Sequence, residues 1–193
     1  MIKRVCVYCA SSSKVAEEYK NQAFRLGQLL AEAKIETKFG SGSVGLMGEL
    51  SKGVLSKNGT IIGVIPQFMV DEGWGNAFVT KQIVTNSMHE RKKTMVEDID
   101  AAIALPGGCG TMEELLEIIT WKQLGLFDKP IIILNVNHYY DDLLHMMDKI
   151  VAENFMRNEH LKMWTVVENA EQVLPTIESM PAWSQNARTF AAI

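Results

Sequence analysis

The sequence predicts a doubly wound α/β fold, a mostly parallel sheet with helices on both faces. Three observations predict it. Short β-branched runs alternate with longer segments of helical period. The 193 residues, 47% of them hydrophobic, suit one compact domain by the roughly 150-residue prior. Two glycine-rich loops fall where strands hand over to helices, as in open parallel sheets that bind ligands at their strand ends.

Taken in chain order, strands are expected near Lys3 to Tyr8, Glu36 to Phe39, Thr60 to Ile65, Val79 to Val84, Ala101 to Leu105, Ile131 to Leu134 and Thr165 to Val167. Between the first two lies Val15 to Ala33. There Ala16, Tyr19, Ala23, Leu26, Leu30 and Ala33 recur at three- and four-residue steps, which makes one buried helical stripe. Further helices are expected at Leu46 to Lys57, Met88 to Asp98, Thr111 to Leu124, Tyr139 to Asn154 and Ala170 to Met180. No repeat, low-complexity tract or Pro/Gly/Ser linker divides the chain, so residues 1–180 are expected to form a single domain. Residues 181–193 have weak periodicity and read as a loosely docked tail.

Composition excludes several function classes. Lys+Arg at 19 against Asp+Glu at 23 leaves a net charge of −4, and basic residues are nowhere concentrated enough to follow a nucleic-acid backbone. The longest apolar runs fall far short of the roughly 20 residues that span a bilayer. The first residues have an apolar part of only about five alternating positions, unlike a signal-peptide core, so a cytoplasmic location is expected. Three cysteines are an odd number in a mid-sized chain, which points to reduced thiols rather than a disulfide framework.

The first glycine loop, Gly40 to Gly48, reads GSGSVGLMG; the second, Pro106 to Thr111, reads PGGCGT. Both suit an anion, because such loops present unpaired N–H groups beside a positive helix end. Each is also readable as a tight strand-to-helix turn in which glycine merely supplies positive φ. The first loop fits G-x-G-x-x-G, but the acidic ribose partner expected about 20 positions later is missing, since Val64 and Ile65 are apolar. No G-x-x-x-x-G-K-[ST] element is present either.

Two charged residues sit beside possible helix starts. Thr111-Met112-Glu113-Glu114 has the form of a capping box, as has Ser87-Met88-His89-Glu90, which puts Arg91 just inside a helix. On that reading Glu114 only caps, and Arg91, Lys92 and Lys93 form a solvated basic face. On the other, Arg91 and Glu114 meet over one ligand, because both helices start where strands finish. Cys6-Val7-Tyr8-Cys9 spells C-x-x-C, yet strand geometry points the two thiols to opposite faces. Cys109 has no identifiable base, and His89, His138, His145 and His160 lack metal-ligand spacing, so no metal site is expected. Met146, Met147 and Trp121 read as core or subunit-interface filling.

From about Val5 to Val173 the chain resembles the LONELY GUY family of cytokinin-activating phosphoribohydrolases, often mislabelled as lysine decarboxylases. The resemblance is carried by CASSS at Cys9 to Ser13, the loop at Gly40 to Gly48, GVIP at Gly63 to Pro66, MHERK at Met88 to Lys92, and PGGCGTMEE at Pro106 to Glu114. The family signature P-G-G-x-G-T-x-x-E is met at every fixed position, with the arginine 23 residues before its glutamate. Departures are Ala10, Ser41 where glycine is usual, Cys109 where tyrosine often stands, and the segment Asp71 to Asn76.

The resemblance implies a Rossmann-like fold and hydrolysis of the N-glycosidic bond of AMP or N6-substituted AMP, giving free base and ribose 5-phosphate. Arg91 and Glu114 would be the catalytic residues. Gly107, Gly108, Gly110 and Thr111 would hold the 5′-phosphate, with Lys92, Glu72 and Thr120 as further substrate contacts. No metal or organic cofactor is implied; the partners would be the small nucleotide and a second copy in a homodimer, with neither nucleic acid nor membrane. A related scaffold, the molybdenum cofactor carriers, offers a non-catalytic alternative, and the lysine decarboxylase label a second enzymatic one.

Overall fold

The computed structural model describes residues 2–183. Seven strands form one sheet in the order β4-β3-β2-β1-β5-β6-β7, and every strand pairing in it is parallel. They are β1 Arg4–Tyr8, β2 Glu36–Phe39, β3 Ile61–Pro66, β4 Lys81–Thr85, β5 Ala101–Ala104, β6 Ile131–Leu134 and β7 Thr165–Val167. The central strands β1, β5 and β6 are almost continuously buried and apolar, as a sheet covered on both faces requires.

The helices are α1 Glu17–Glu32, α2 Gly45–Ser56, α3 Gln67–Asp71, α4 Met88–Val96, α5 Cys109–Gln123, α6 Asp141–Ala152 and α7 Val173–Ser179. They divide between two layers. On one face Ala23, Leu26 and Leu30 of α1 join Leu46, Leu50 and Val54 of α2 and Val173 and Ile177 of α7. On the other, Met95 of α4 packs with Leu115, Ile118 and Ile119 of α5 and Met147 of α6. Cys6 belongs to the second core and Cys9 to the first, as strand alternation dictates. Burial pushes both thiols well above the usual range.

Differences from the expected elements have local causes. α3 has no buried residue, so it leaves no apolar stripe in the sequence. α5 starts at Cys109 rather than Thr111, because glycine-rich residues hide a helix start. The helix expected at Ala170 to Met180 opens instead as a 3-10 turn, Ala170–Gln172, capped by the Asn169 side chain on Gln172 N, before α7 proper. Buried Lys38 donates to Thr94 O at 3.0 Å and Glu97 O at 2.6 Å, closing the C-terminus of α4 with a cation where the helix dipole is negative.

Of the expected tail only residues 181–183 are described, where Trp183 Nε1 donates to Lys122 O at 3.0 Å. The remainder lies outside the described residues. Among the described residues no helix is long and apolar enough to cross a membrane.

Candidate active site

Strand order places the site. From β1 the chain winds outward through β2 and β3 to β4, then returns to the other side of β1 to lay down β5. The loops leaving β1 and β5 therefore diverge at their carboxyl ends and open a crevice there. The PGGCGT loop runs from β5 into α5 at this point, and the residue before α5, Gly108, is its N-cap.

Because α5 begins at Cys109, Thr111 already lies inside its first turn, and the capping-box reading of Thr111 and Glu114 fails. The Glu114 carboxylate instead accepts a hydrogen bond from Arg91 Nη1 at 3.0 Å. The other expected box is met in its Ser87 half: Glu90 N donates to Ser87 Oγ at 3.1 Å, while the Glu90 carboxylate reaches past Ser87 and accepts from Asn86 N at 2.7 Å. That cap starts α4 at Met88 and turns Arg91 inward, where its Nε donates to Val64 O at 3.2 Å. The side chains of Arg91 and Glu114 are only 8% and 11% exposed, so the basic-face reading of Arg91 fails as well.

Gly40 makes room for this pair. A Cβ there would fall 2.3 Å from Arg91 Nη2, so the first glycine loop serves the guanidinium directly. Burial pushes the Glu114 carboxyl above the usual range, and the Arg91 guanidinium only partly offsets it. The site thus holds a carboxylate in a partly desolvated position where its charge acts strongly on a neighbour.

Thr111 is buried, whereas Cβ positions at Gly108 and Gly110 would meet open space. Lys92 donates to Glu117 Oε1 at 3.0 Å and forms a second ion pair with Glu113, and its charge also acts on Glu114. The structure therefore uses it to tie α4 to α5. Glu72 is exposed at the C-terminus of α3, next to the cleft residues Gly73 and Trp74. Thr120 is exposed on α5 and its hydroxyl donates to Leu116 O at 2.8 Å, so it is not brought to the Arg91–Glu114 pair.

Beside Arg91 opens a cleft of about 430 Å³ with apolar walls from Val44, Met47, Ile65, Met69 and Trp74. The segment carrying Trp74 is pinned to the first glycine loop by the bridge between Gly42 and Gly75 and by Asn76 N donating to Ser41 O at 2.8 Å. Sequence reasoning missed these wall residues. A tryptophan between two glycines in an otherwise polar stretch, Gly73-Trp74-Gly75, is the signal that was there to be used. It also missed Tyr139 and Tyr140, which lie against the second glycine loop. Among the described residues no group of three or more His, Cys, Asp or Glu is placed to hold a metal ion.

A family model described as "possible lysine decarboxylase" matches residues 47–177. A cytokinin riboside 5′-monophosphate phosphoribohydrolase of Arabidopsis thaliana is 41% identical over 92% of this chain and 78% of its own. A second from the same plant is 46% identical over 80% and 72%. A probable enzyme of that name from Oryza sativa subsp. japonica is 41% identical over 91% and 78%. Among solved structures, the molybdenum cofactor carrier protein of Chlamydomonas reinhardtii superposes with a TM-score of 0.70 at 20% identity, covering 92% of this chain and 98% of that one. The corresponding binding protein of Rippkaea orientalis gives 0.70 at 23% over 93% and 97%. At such identity these two establish a shared Rossmann-like fold alone. The coverage and identity of the plant enzymes, together with the family match and the intact P-G-G-x-G-T-x-x-E signature, establish that the chain belongs to the LONELY GUY family.

Proposed function

We propose that the protein hydrolyses the N-glycosidic bond of purine nucleoside 5′-monophosphates, AMP or N6-substituted AMP, to free base and ribose 5-phosphate. The observation that carries this reading is the buried Arg91–Glu114 pair at 3.0 Å beside a glycine loop at a helix N-terminus. Water adds to C1′ of the ribose, the bond from C1′ to the base breaks, and the base departs with a proton. Positive charge builds on the sugar as that bond lengthens, and Glu114 stabilises it or takes the proton of the attacking water. Arg91 balances the carboxylate and grips the ribose and phosphate side.

In this reading the amides of Gly107, Gly108 and Gly110 and the Thr111 hydroxyl hold the 5′-phosphate. Binding energy from that group, remote from the breaking bond, favours a nucleotide over a nucleoside. The apolar cleft beside Arg91 takes the base and any N6 substituent, with Lys92 and Glu72 as peripheral contacts; Thr120, whose hydroxyl bonds Leu116 O, is not one of them. The reaction needs no cofactor.

The proposal extends to a homodimer, supported by the exposed apolar side chains Val84, Met88 and Leu116 on β4, α4 and α5, and to the cytoplasm, supported by the free thiols of Cys6, Cys9 and Cys109. Lysine chemistry is the weaker reading. The buried Lys38 and Lys122 donate to backbone carbonyls at the ends of α4 and of the loop after α5, not into the cleft.

Incubation with AMP, N6-isopentenyl-AMP and adenosine, followed by chromatography of released base, tests the proposal. Turnover of the monophosphates with adenosine far slower is the expected result. Absence of base release from all three, or adenosine as good as AMP, refutes it.

A further inference from the structure

We propose that Tyr139 is a positioning residue for the phosphate loop: its hydroxyl locks the Gly107–Gly108 peptide so that the loop turns its amides toward the nucleotide phosphate. The inference rests on the phosphate-binding reading of Gly107 to Thr111 given above.

Tyr139 and Tyr140 lie between β6 and α6, outside the elements that carry Arg91, Glu114 and the glycine loops. Tyr139 Oη donates to Gly107 O at 2.5 Å, and Tyr140 Oη donates to Leu105 O at 2.6 Å. Between those two carbonyls, Pro106 O accepts from Ala10 N at 3.2 Å. Successive carbonyls of the loop are thus each held by a donor from elsewhere in the fold.

A trans peptide is planar, with C=O and N–H pointing in opposite directions. Fixing Gly107 O against the phenol therefore sends the Gly108 N–H the other way. Fixing Pro106 O against the β1 loop does the same for the Gly107 N–H. Gly108 O then accepts from Met112 N at 3.0 Å and begins α5, whose first amides have no intrahelical acceptor.

Glycine makes an external lock necessary. Gly108 has open space where a Cβ would stand, and a peptide between two glycines rotates with little steric resistance. The lock is itself well supported. The Tyr139 ring meets Tyr19 and Tyr140 edge-on, with centroids 6.0 and 5.1 Å away. Its turn carries two successive left-handed non-glycine residues, Asn137 at φ 50° and His138 at φ 59°. Asn135 holds that turn, accepting from Tyr140 N at 2.7 Å and donating to Asp141 Oδ1 at 2.8 Å. Backbone strain retained beside a ligand loop, and held by dedicated hydrogen bonds, is the pattern expected of a placed functional side chain.

Tyr139→Phe keeps the ring contacts and removes only the hydroxyl. The expected result is a rise of about tenfold in KM for AMP and in the inhibition constant of ribose 5-phosphate, with kcat within about twofold of wild type and unchanged circular dichroism. The kcat/KM for adenosine, which has no phosphate, stays within about twofold of wild type, whereas a general loss of structure lowers both substrates alike. Unchanged constants for AMP and ribose 5-phosphate, or equal losses on AMP and adenosine, overturn the inference. If wild-type protein turns over nucleotide but ribose 5-phosphate binds wild type and variant equally, the inference alone falls. If wild-type protein does not bind ribose 5-phosphate at all, the phosphate-loop reading falls and takes the inference with it.

Discussion

Replacing Glu114 by glutamine separates catalysis from stability in opposite directions. Glutamine is nearly isosteric and keeps an oxygen for Arg91 Nη1, but it cannot carry charge. A carboxylate about 4 Å from the cationic sugar, at an effective dielectric near 20, contributes about 4 kcal/mol to the transition state. Its loss lowers kcat by about 10³-fold. Stability follows the other sign. The Glu114 carboxyl is raised above its usual value of 4.5 by burial, even with Arg91 beside it.

A group whose folded-state pKa is raised contributes stability that is fully present below its unfolded value and lost as pH rises through the folded one. At neutral pH the ionised side chain therefore weighs against the fold, and glutamine, which mimics the protonated form, relieves that cost. Calorimetry should give Tm for Glu114→Gln at pH 7 equal to or above wild type, with a flatter dependence on pH above 4.5. Base release at saturating AMP gives the catalytic half. Turnover within tenfold of wild type, or a Tm several degrees lower, refutes the reasoning.

Three further outcomes follow from the structure. Gly40→Ala drives a methyl group to 2.3 Å from Arg91 Nη2, and since that atom ends a flexible side chain the fold adjusts while the guanidinium moves: kcat/KM should fall at least about tenfold with little change in Tm. Lys38→Met leaves two carbonyls at the end of α4 without their cation, and urea denaturation should show about 2 kcal/mol lower stability. Asp100 is partly buried, which raises its carboxyl, but hydrogen bonds from Lys3 N at 2.6 Å and Arg4 N at 3.1 Å outweigh burial and hold it below its usual 3.8. Its contribution is present above that value and lost as pH falls through the folded one, so the stability difference between wild type and Asp100→Asn should narrow under acid titration below 3.8.

The central strands were legible in the sequence because β5 and β6 are short alanine-rich or β-branched runs that a doubly covered sheet buries whole, as at Ile131 to Leu134. The glycine loops were legible for the same local reason. The Arg91–Glu114 contact was not decidable from the residues, because Ser87-x-x-Glu90 and Thr111-x-x-Glu114 have the same form. One proves to be a cap and the other does not, and the difference lies in where glycine lets α5 begin. The cleft walls escaped notice because Val44, Met47, Met69 and Trp74 come from three separate segments, which only the folded chain brings to one place. Tyr139 escaped because a tyrosine at a helix start carries no signal of the distant carbonyl that it serves.

The return of the chain from the edge strand β4 across the sheet to β5 has one more consequence. Arg91 closes the first half of the protein and Glu114 opens the second, so neither half alone contains the pair. In the proposed reaction hydrolysis is then a readout of complete assembly: a nascent chain, a proteolytic fragment or a partly unfolded molecule that keeps one wing of the sheet lacks one of the two charges.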